Sequence, residues 1–314
     1  SNITALSLDL QQRHNLPDTE YSTIHRWSIK NPGEFWEHVW SDSALVCSQE
    51  WSNGLSQDPS SQGLRDVTWF ESMRLNFAEN LLAKGSDKNS ALIFVGEDGR
   101  HRRLTYSRLR DLVRRCSVHL RRSGITKGDR VAAVLPNSLE AVIGMLATSS
   151  IGAIWSACSP ELGANGIQVR LSQISPKILL TVNAYQHNGV IHDCLDKIRS
   201  VRASLPSVEQ VFIAPFTSSE YELEESERSW SELLLPTKDP LQVEQLPFDH
   251  PLAIFYASPA GQPTPIVHCA GGVLLKNLCE LRYHLDIKSV SRFCSVTDCD
   301  DMTWFRQICA LACG

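Results

Sequence analysis

The sequence predicts an α/β fold: a three-layer α/β/α body on mostly parallel sheets, preceded by a helical N-terminal cap. Three observations carry this. Between residues 90 and 215, short apolar runs alternate with amphipathic runs of helical length, without hairpin turns. Strands joined by helical crossovers pair in parallel and need cover on both faces. The chain has 314 residues, 42% of them hydrophobic and 21% charged, enough to fill one large α/β core or two domains. Ahead of the first strand, Trp27, Phe35, Trp36, Val39 and Trp40 cluster, most of them at helical spacing.

In chain order, residues 1–84 form the cap. Asn31-Pro32 starts a helix, with Glu34 and Glu37 favourable in its first turns, and its aromatic stripe is for packing. Residues 69–83 (W-F-E-S-M-R-L-N-F-A-E-N-L-L-A) are amphipathic, with Leu75, Leu81 and Leu82 available for burial. Residues 91–95 make a strand and 97–99 a turn. Residues 104–124 make a helix capped by Thr105, with Leu109, Leu112, Val113, Cys116 and Leu120 inward. Its arginines 108, 110, 114, 115, 121 and 122 are expected on a solvated face. Strands follow at 131–135, 153–157, 177–182 and 208–213, with helices at 139–149, 163–171 and within 186–201. The acidic stretch 218–232 is a solvated connector to a strand at 252–256. The first sheet is therefore expected over about 90–215, and a second begins over about 247–314.

The charge of -5 and a pI near 6.1 argue against nucleic acid as the main partner. Residues 141–160 carry no charge, but their serines, glycines and change of period read as a buried helix and strand, not a membrane span. No signal peptide opens the chain, so a cytoplasmic location is expected, with the ten cysteines reduced. The chain begins at Ser1 rather than Met, so residues upstream are expected to be missing. Neither Cys294/Cys299 nor Cys309/Cys313 has a partner pair at zinc-ribbon spacing, and no metal site is predicted. His250, His268 and His284 lack a nearby nucleophile signal and read as structural.

The chemistry concentrates at residues 247–268. An apolar strand empties into Ser258, Pro259, Ala260 and Gly261, small residues that let backbone N–H groups approach an anion. Pro259 removes one such donor, and no Lys stands beside the glycine. From Tyr256 to His268 the stretch resembles the signature loop of the AMP-forming acyl-CoA synthetases, most closely the acetoacetyl-CoA synthetases, Y-S-S-G-T-T-G-x-P-K-P-I-V-H. Tyr256, Ser258, Gly261, Pro263, Pro265, Ile266, Val267 and His268 fit. One loop residue is deleted, both threonines are gone, and Thr264 stands at the lysine position. The resemblance extends through residues 73–82, 152–160, 174–180 and 185–193, and so covers nearly the whole chain.

What the resemblance implies is a ligase in which a carboxylate attacks the ATP α-phosphate, giving acyl-adenylate and pyrophosphate, after which CoA displaces AMP. ATP, Mg²⁺ and CoA are the implied cofactors, and a small-molecule acid the implied partner. Ser258, Gly261, Thr264 and Thr297 stand at ATP-phosphate positions, and Arg170 near the CoA nucleotide. Residues 295–304 (S-V-T-D-C-D-D-M-T-W) answer the family's T-T-T-G-W-M-M-W. Thr297, Met302 and Trp304 fit, while Asp298, Cys299, Asp300 and Asp301 replace T-T-G-W. Three carboxylates there repel ATP unless a cation intervenes. The family's later segments and C-terminal lid domain fall beyond Gly314 and are expected to be absent. The expectation is an acetoacetate–CoA ligase-like protein, impaired or inactive as this chain. The alternative is a catalytically silent module, partnered or self-associated through an open sheet edge.

Overall fold

The apolar runs assemble into one seven-stranded sheet in this computed structural model, which describes residues 1–57, 67–257 and 261–314. Its strands are β1 (Arg130–Val134), β2 (Ile154–Cys158), β3 (Ile178–Val182), β4 (Gln210–Ala214), β5 (Glu227–Ser229), β6 (Pro251–Ala257) and β7 (Thr264–Cys269). The spatial order is β5-β4-β3-β1-β2-β6-β7, and every neighbouring pair is parallel except β6 with β7. Parallel strands covered on both faces should read as unbroken apolar runs. All five residues of β3 are buried accordingly, and so are four of the five in β1 and in β2.

The cap consists of α1 (Asn2–His14), α2 (Tyr21–Lys30) and α3 (Pro32–Asp42), and α4 (Phe77–Ala83) joins it to the body. Pro32 opens α3 as expected. The aromatic stripe is packing: Trp40 meets Trp51 and Phe70, and Phe70 stacks on Phe248 at 4.7 Å between centroids. Then come α5 (Tyr106–Arg122), α6 (Leu139–Ser150), α7 (Ala164–Leu171), α8 (Leu195–Ala203), α9 (Ala270–Cys279) and α10 (Met302–Cys309). Thr105 caps α5 by accepting the Arg108 N–H at 3.2 Å. Every residue of α6 is buried, which explains the uncharged stretch. Among the described residues no helix is long and apolar enough to cross a membrane.

Four sequence expectations are corrected. Residues 90–95 do not join the main sheet; they pair with His101–Thr105 in a separate ribbon. The strand at 251–257 does not open a second sheet: Leu246–Pro247 pair with Arg74–Leu75 in a separate two-stranded ribbon, whereas Ala253 of β6 pairs with Trp155 of the first sheet and the Ser156 hydroxyl donates to the Ile254 carbonyl. Within 186–201 the helix occupies only the end. Ala184–His187 and Val190–Asp193 form a hairpin turned by Asn188 (φ 51°) and Gly189 (φ 77°), the Asn-Gly pair that two-residue hairpins favour. The acidic connector contains β5, where buried Glu227 takes two bonds from Arg199.

The arginine face of α5 is likewise engaged rather than merely solvated. Arg114 donates to the carbonyls of Thr237 and Asp239, Arg115 to that of Leu234, and Arg121 to that of Gln242. Asp111 accepts from Arg108, Arg114 and Arg115; burial pushes its carboxyl up, but Arg115 and Arg114 outweigh this and hold it below the usual range. All ten cysteines are free, six of them buried.

Candidate active site

Ligands of open parallel sheets bind at the carboxyl ends of the strands, and here that end carries a cavity of about 430 Å³. Ala157, at the end of β2, and Tyr256, at the end of β6, form part of its wall, as does Arg170 of α7. The remaining wall is the segment just before and into α10, with Thr297, Asp298, Asp300, Asp301 and Thr303.

That segment has little regular structure, and side chains pin it to the strand ends. The Cys299 thiol donates to the Leu135 carbonyl beyond β1 (2.9 Å). Asn137 donates to the Thr297 carbonyl (3.3 Å) and accepts from the Trp304 indole (3.0 Å). The Asp300 Oδ2 accepts the Ser159 N–H beyond β2 (2.9 Å). Asp301 caps α10 by accepting from Thr303 N–H. The three aspartates therefore differ. Asp298 is exposed, Asp301 is a helix cap, and Asp300 is half-buried, so the cluster is not simply an acidic exposed loop. Burial pushes the Asp300 carboxyl up, opposed by the Ser159 N–H and by Arg170. Burial also pushes the Cys158 thiol up to about 12, and Cys299 well above its usual range.

Arg170 is set by its own helix and by β6. Its Nη1 donates to the Gly166 carbonyl (2.9 Å), and its guanidinium lies 5.9 Å from the Tyr256 ring centre. The Tyr256 hydroxyl donates to the Arg170 carbonyl (2.7 Å), and Gln173 just beyond α7 donates to that of Pro263 (3.1 Å). These two bonds tie the end of α7 to the β6–β7 connection.

Of the residues singled out from sequence, Arg170 and Thr297 come together in the cavity. Gly261 and Thr264 do not line it; both are exposed on the β6–β7 connection. Gly261 has φ +82° with open space around it, a conformation that favours glycine. Thr264 opens β7 opposite Ala257. Ser258 lies outside the described residues. Tyr256 and Thr303 were not among the predicted site residues. Tyr256 stands at the mouth of a buried strand just before the small-residue turn, which was the available signal. Among the described residues no three His, Cys, Asp or Glu side chains are grouped to hold a metal ion. His250 bonds the Gly152 carbonyl (2.9 Å), and His268 packs edge-on to Phe255, both structural positions.

Residues 81–304 match the family described as AMP-binding enzyme, and residues 21–81 that described as Acetyl-coenzyme A synthetase N-terminus. The chain is similar to acetoacetyl-CoA synthetase of Gallus gallus, 37% identical over 306 residues, covering 94% of this chain and 45% of that protein. It is similar to acetoacetyl-coenzyme A synthetase of Rhizobium meliloti, 39% identical over 313 residues, with the same coverage of each. Malonamoyl-CoA synthetase of Penicillium aethiopicum is 37% identical over 309 residues, 94% of this chain and 42% of that one. Among solved structures, acetoacetyl-CoA synthetase from Streptomyces lividans superposes with a TM-score of 0.92 at 31% identity, over 100% of this chain and 48% of that chain. The chain thus spans about half the length of the curated relatives it matches.

Proposed function

Because the chain belongs to the AMP-binding enzyme family, we propose that it is the nucleotide- and acid-binding part of an AMP-forming acid–thiol ligase of the acetoacetyl-CoA synthetase kind. The reaction joins a short carboxylate to the ATP α-phosphate with release of pyrophosphate, and CoA thiol then displaces AMP. The observation that carries this reading is the cavity at the carboxyl ends of β2 and β6, within the matched span and flanked by the predicted Arg170 and Thr297. In this reading residues 1–84 are the cap and 85–314 the AMP-binding body. By their motif positions Ser258, Gly261, Thr264 and Thr297 are assigned to the ATP phosphates, and Arg170 to the CoA nucleotide. Mg²⁺ enters with ATP as part of the substrate. We place the protein in the cytoplasm.

The departures in the loop set how well the reaction runs. Thr264 supplies no cation where the resembling enzymes carry lysine, so phosphate charge is met by fewer groups. We therefore expect weak nucleotide binding and an impaired ligase. Titration of the whole chain with Mg·ATP by calorimetry, beside Thr264→Lys, tests this. Measurable binding that tightens about tenfold in the variant, as one recovered charged hydrogen bond would give, supports the impaired ligase. Silence from both folded proteins overturns it and favours the binding or assembly module.

A further inference from the structure

We infer that α2 of the cap is a self-association surface whose partner is a second copy of this chain, laid antiparallel across it. The helix is ten residues long and has one fully buried residue, Ile24. Trp27 beside it is partly covered by His14, at 4.3 Å between ring centres. Tyr21, His25 and Ile29, spaced i, i+4 and i+8, form a stripe that faces away from the body. Tyr21 is 58% and Ile29 65% exposed. The Tyr21 and His25 rings stack at 5.8 Å, so part of the stripe is already arranged before anything covers it.

Charge selects the occupant. Asp18 and Glu20 stand at the entry to α2, Arg26 and Lys30 towards its far end, and all four are exposed. Among the described residues none of the four enters an ion pair, and Asp18 accepts only the Glu20 N–H (3.0 Å). The contrast is α5, whose arginines are each bonded to a carboxylate or a carbonyl. An antiparallel copy, related by a twofold axis near His25, brings the acidic entry of each α2 to the basic end of the other. The same operation sets Tyr21 of each against Ile29 of the other. A parallel copy would instead stack acid on acid and base on base. In a twofold contact every pairing occurs twice, so the complementarity is doubled. The stripe is only about 12 Å long at ~1.5 Å per residue. It covers well under the ~1,000 Å² of a lasting interface, so the dimer is a transient one.

Sedimentation velocity on the whole chain over rising concentration reads the dimer. Val267→Lys is present throughout, so that pairing through the exposed strand β7 does not contribute. We expect a dimer with a dissociation constant between about 1 μM and about 1 mM. Reversing the basic end (Arg26→Glu with Lys30→Glu) or the acidic end (Asp18→Lys with Glu20→Lys) sets like charges together at both contacts. Either reversal should weaken the dimer about tenfold or more. An equimolar mixture of the two reversed proteins should pair again with about the parent affinity, because each then meets its opposite. That recovery also shows that both variants are folded. A parent chain that stays at 35.1 kDa would overturn the inference and leave the face to a different partner. So would reversals without effect, or a mixture of variants, folded by circular dichroism, that remains monomeric.

Discussion

Burial decides the charge of His38 in the cap, and with it how the cap responds to acid. The side chain is 7% exposed, and its Nε2 lies 3.4 Å from Asp9 Oδ2. Desolvation lowers its pKa and outweighs the pull of Asp9 and Asp42, with Arg13 and His14 adding to the lowering. A histidine depressed in the folded state binds protons less readily than in the unfolded chain, where it titrates near pH ~6.5. Its contribution is fully present above that pH and is lost as pH falls from about 6.5 through the lower folded value. Melting temperatures between pH 7.5 and 5 should therefore drop more steeply for the native chain than for His38→Gln. A native chain that gains stability on acidification relative to the variant would show that the Asp9 pairing dominates instead.

The hairpin at residues 184–193 depends on a turn that only some residues tolerate. Gly189 sits at φ +77° with open space where a Cβ would go, so Gly189→Ala meets strain without a clash. It should cost about 1 kcal/mol, read by denaturant unfolding, with faster amide exchange confined to Ala184–Asp193. Unchanged exchange there would mean that Glu97, which accepts both turn N–H groups, holds the hairpin by itself. The same element shows where sequence reading stops. The periods of β1 to β4 and of α5 are local, so those elements were legible within a residue or two. The Asn188-Gly189 turn was also visible but lay inside a run that helical spacing seemed to claim. Membership of β6 in the first sheet was not legible, because it depends on residue 253 meeting residue 155. The site divides the same way. Arg170 and Thr297 came from motif positions, whereas the role of Asp300 required a contact with Ser159, 141 residues away. Asn76 and Asn80, in the motif of residues 73–82, carried no readable chemistry either. Buried Asn76 donates to the carbonyls of Ser149, Ser150 and Glu244, and Asn80 bonds both polar groups of Val46, so their role is to satisfy main chain.

For the molecule as a whole, β7 is the edge strand of the sheet among the described residues, and it carries no formal charge. Ile266 is 44% and Val267 57% exposed on it. Charge at an edge is a common guard against strand addition, and here only Pro265 serves. Sedimentation velocity should show an average mass rising above the 35.1 kDa chain with concentration, and Val267→Lys should hold it nearer that value. Two equally monomeric proteins at high concentration would count against a sticky edge. At the opposite side of the body, α5 grips residues 234–242 mainly through main-chain carbonyls, with one side-chain ion pair from Arg122 to Asp239. Every residue type presents that carbonyl, so Thr237 and Gln242 can change type while the arginines keep their hold. Searches for paired substitutions between these segments would then find silence across one of the firmest contacts in the protein.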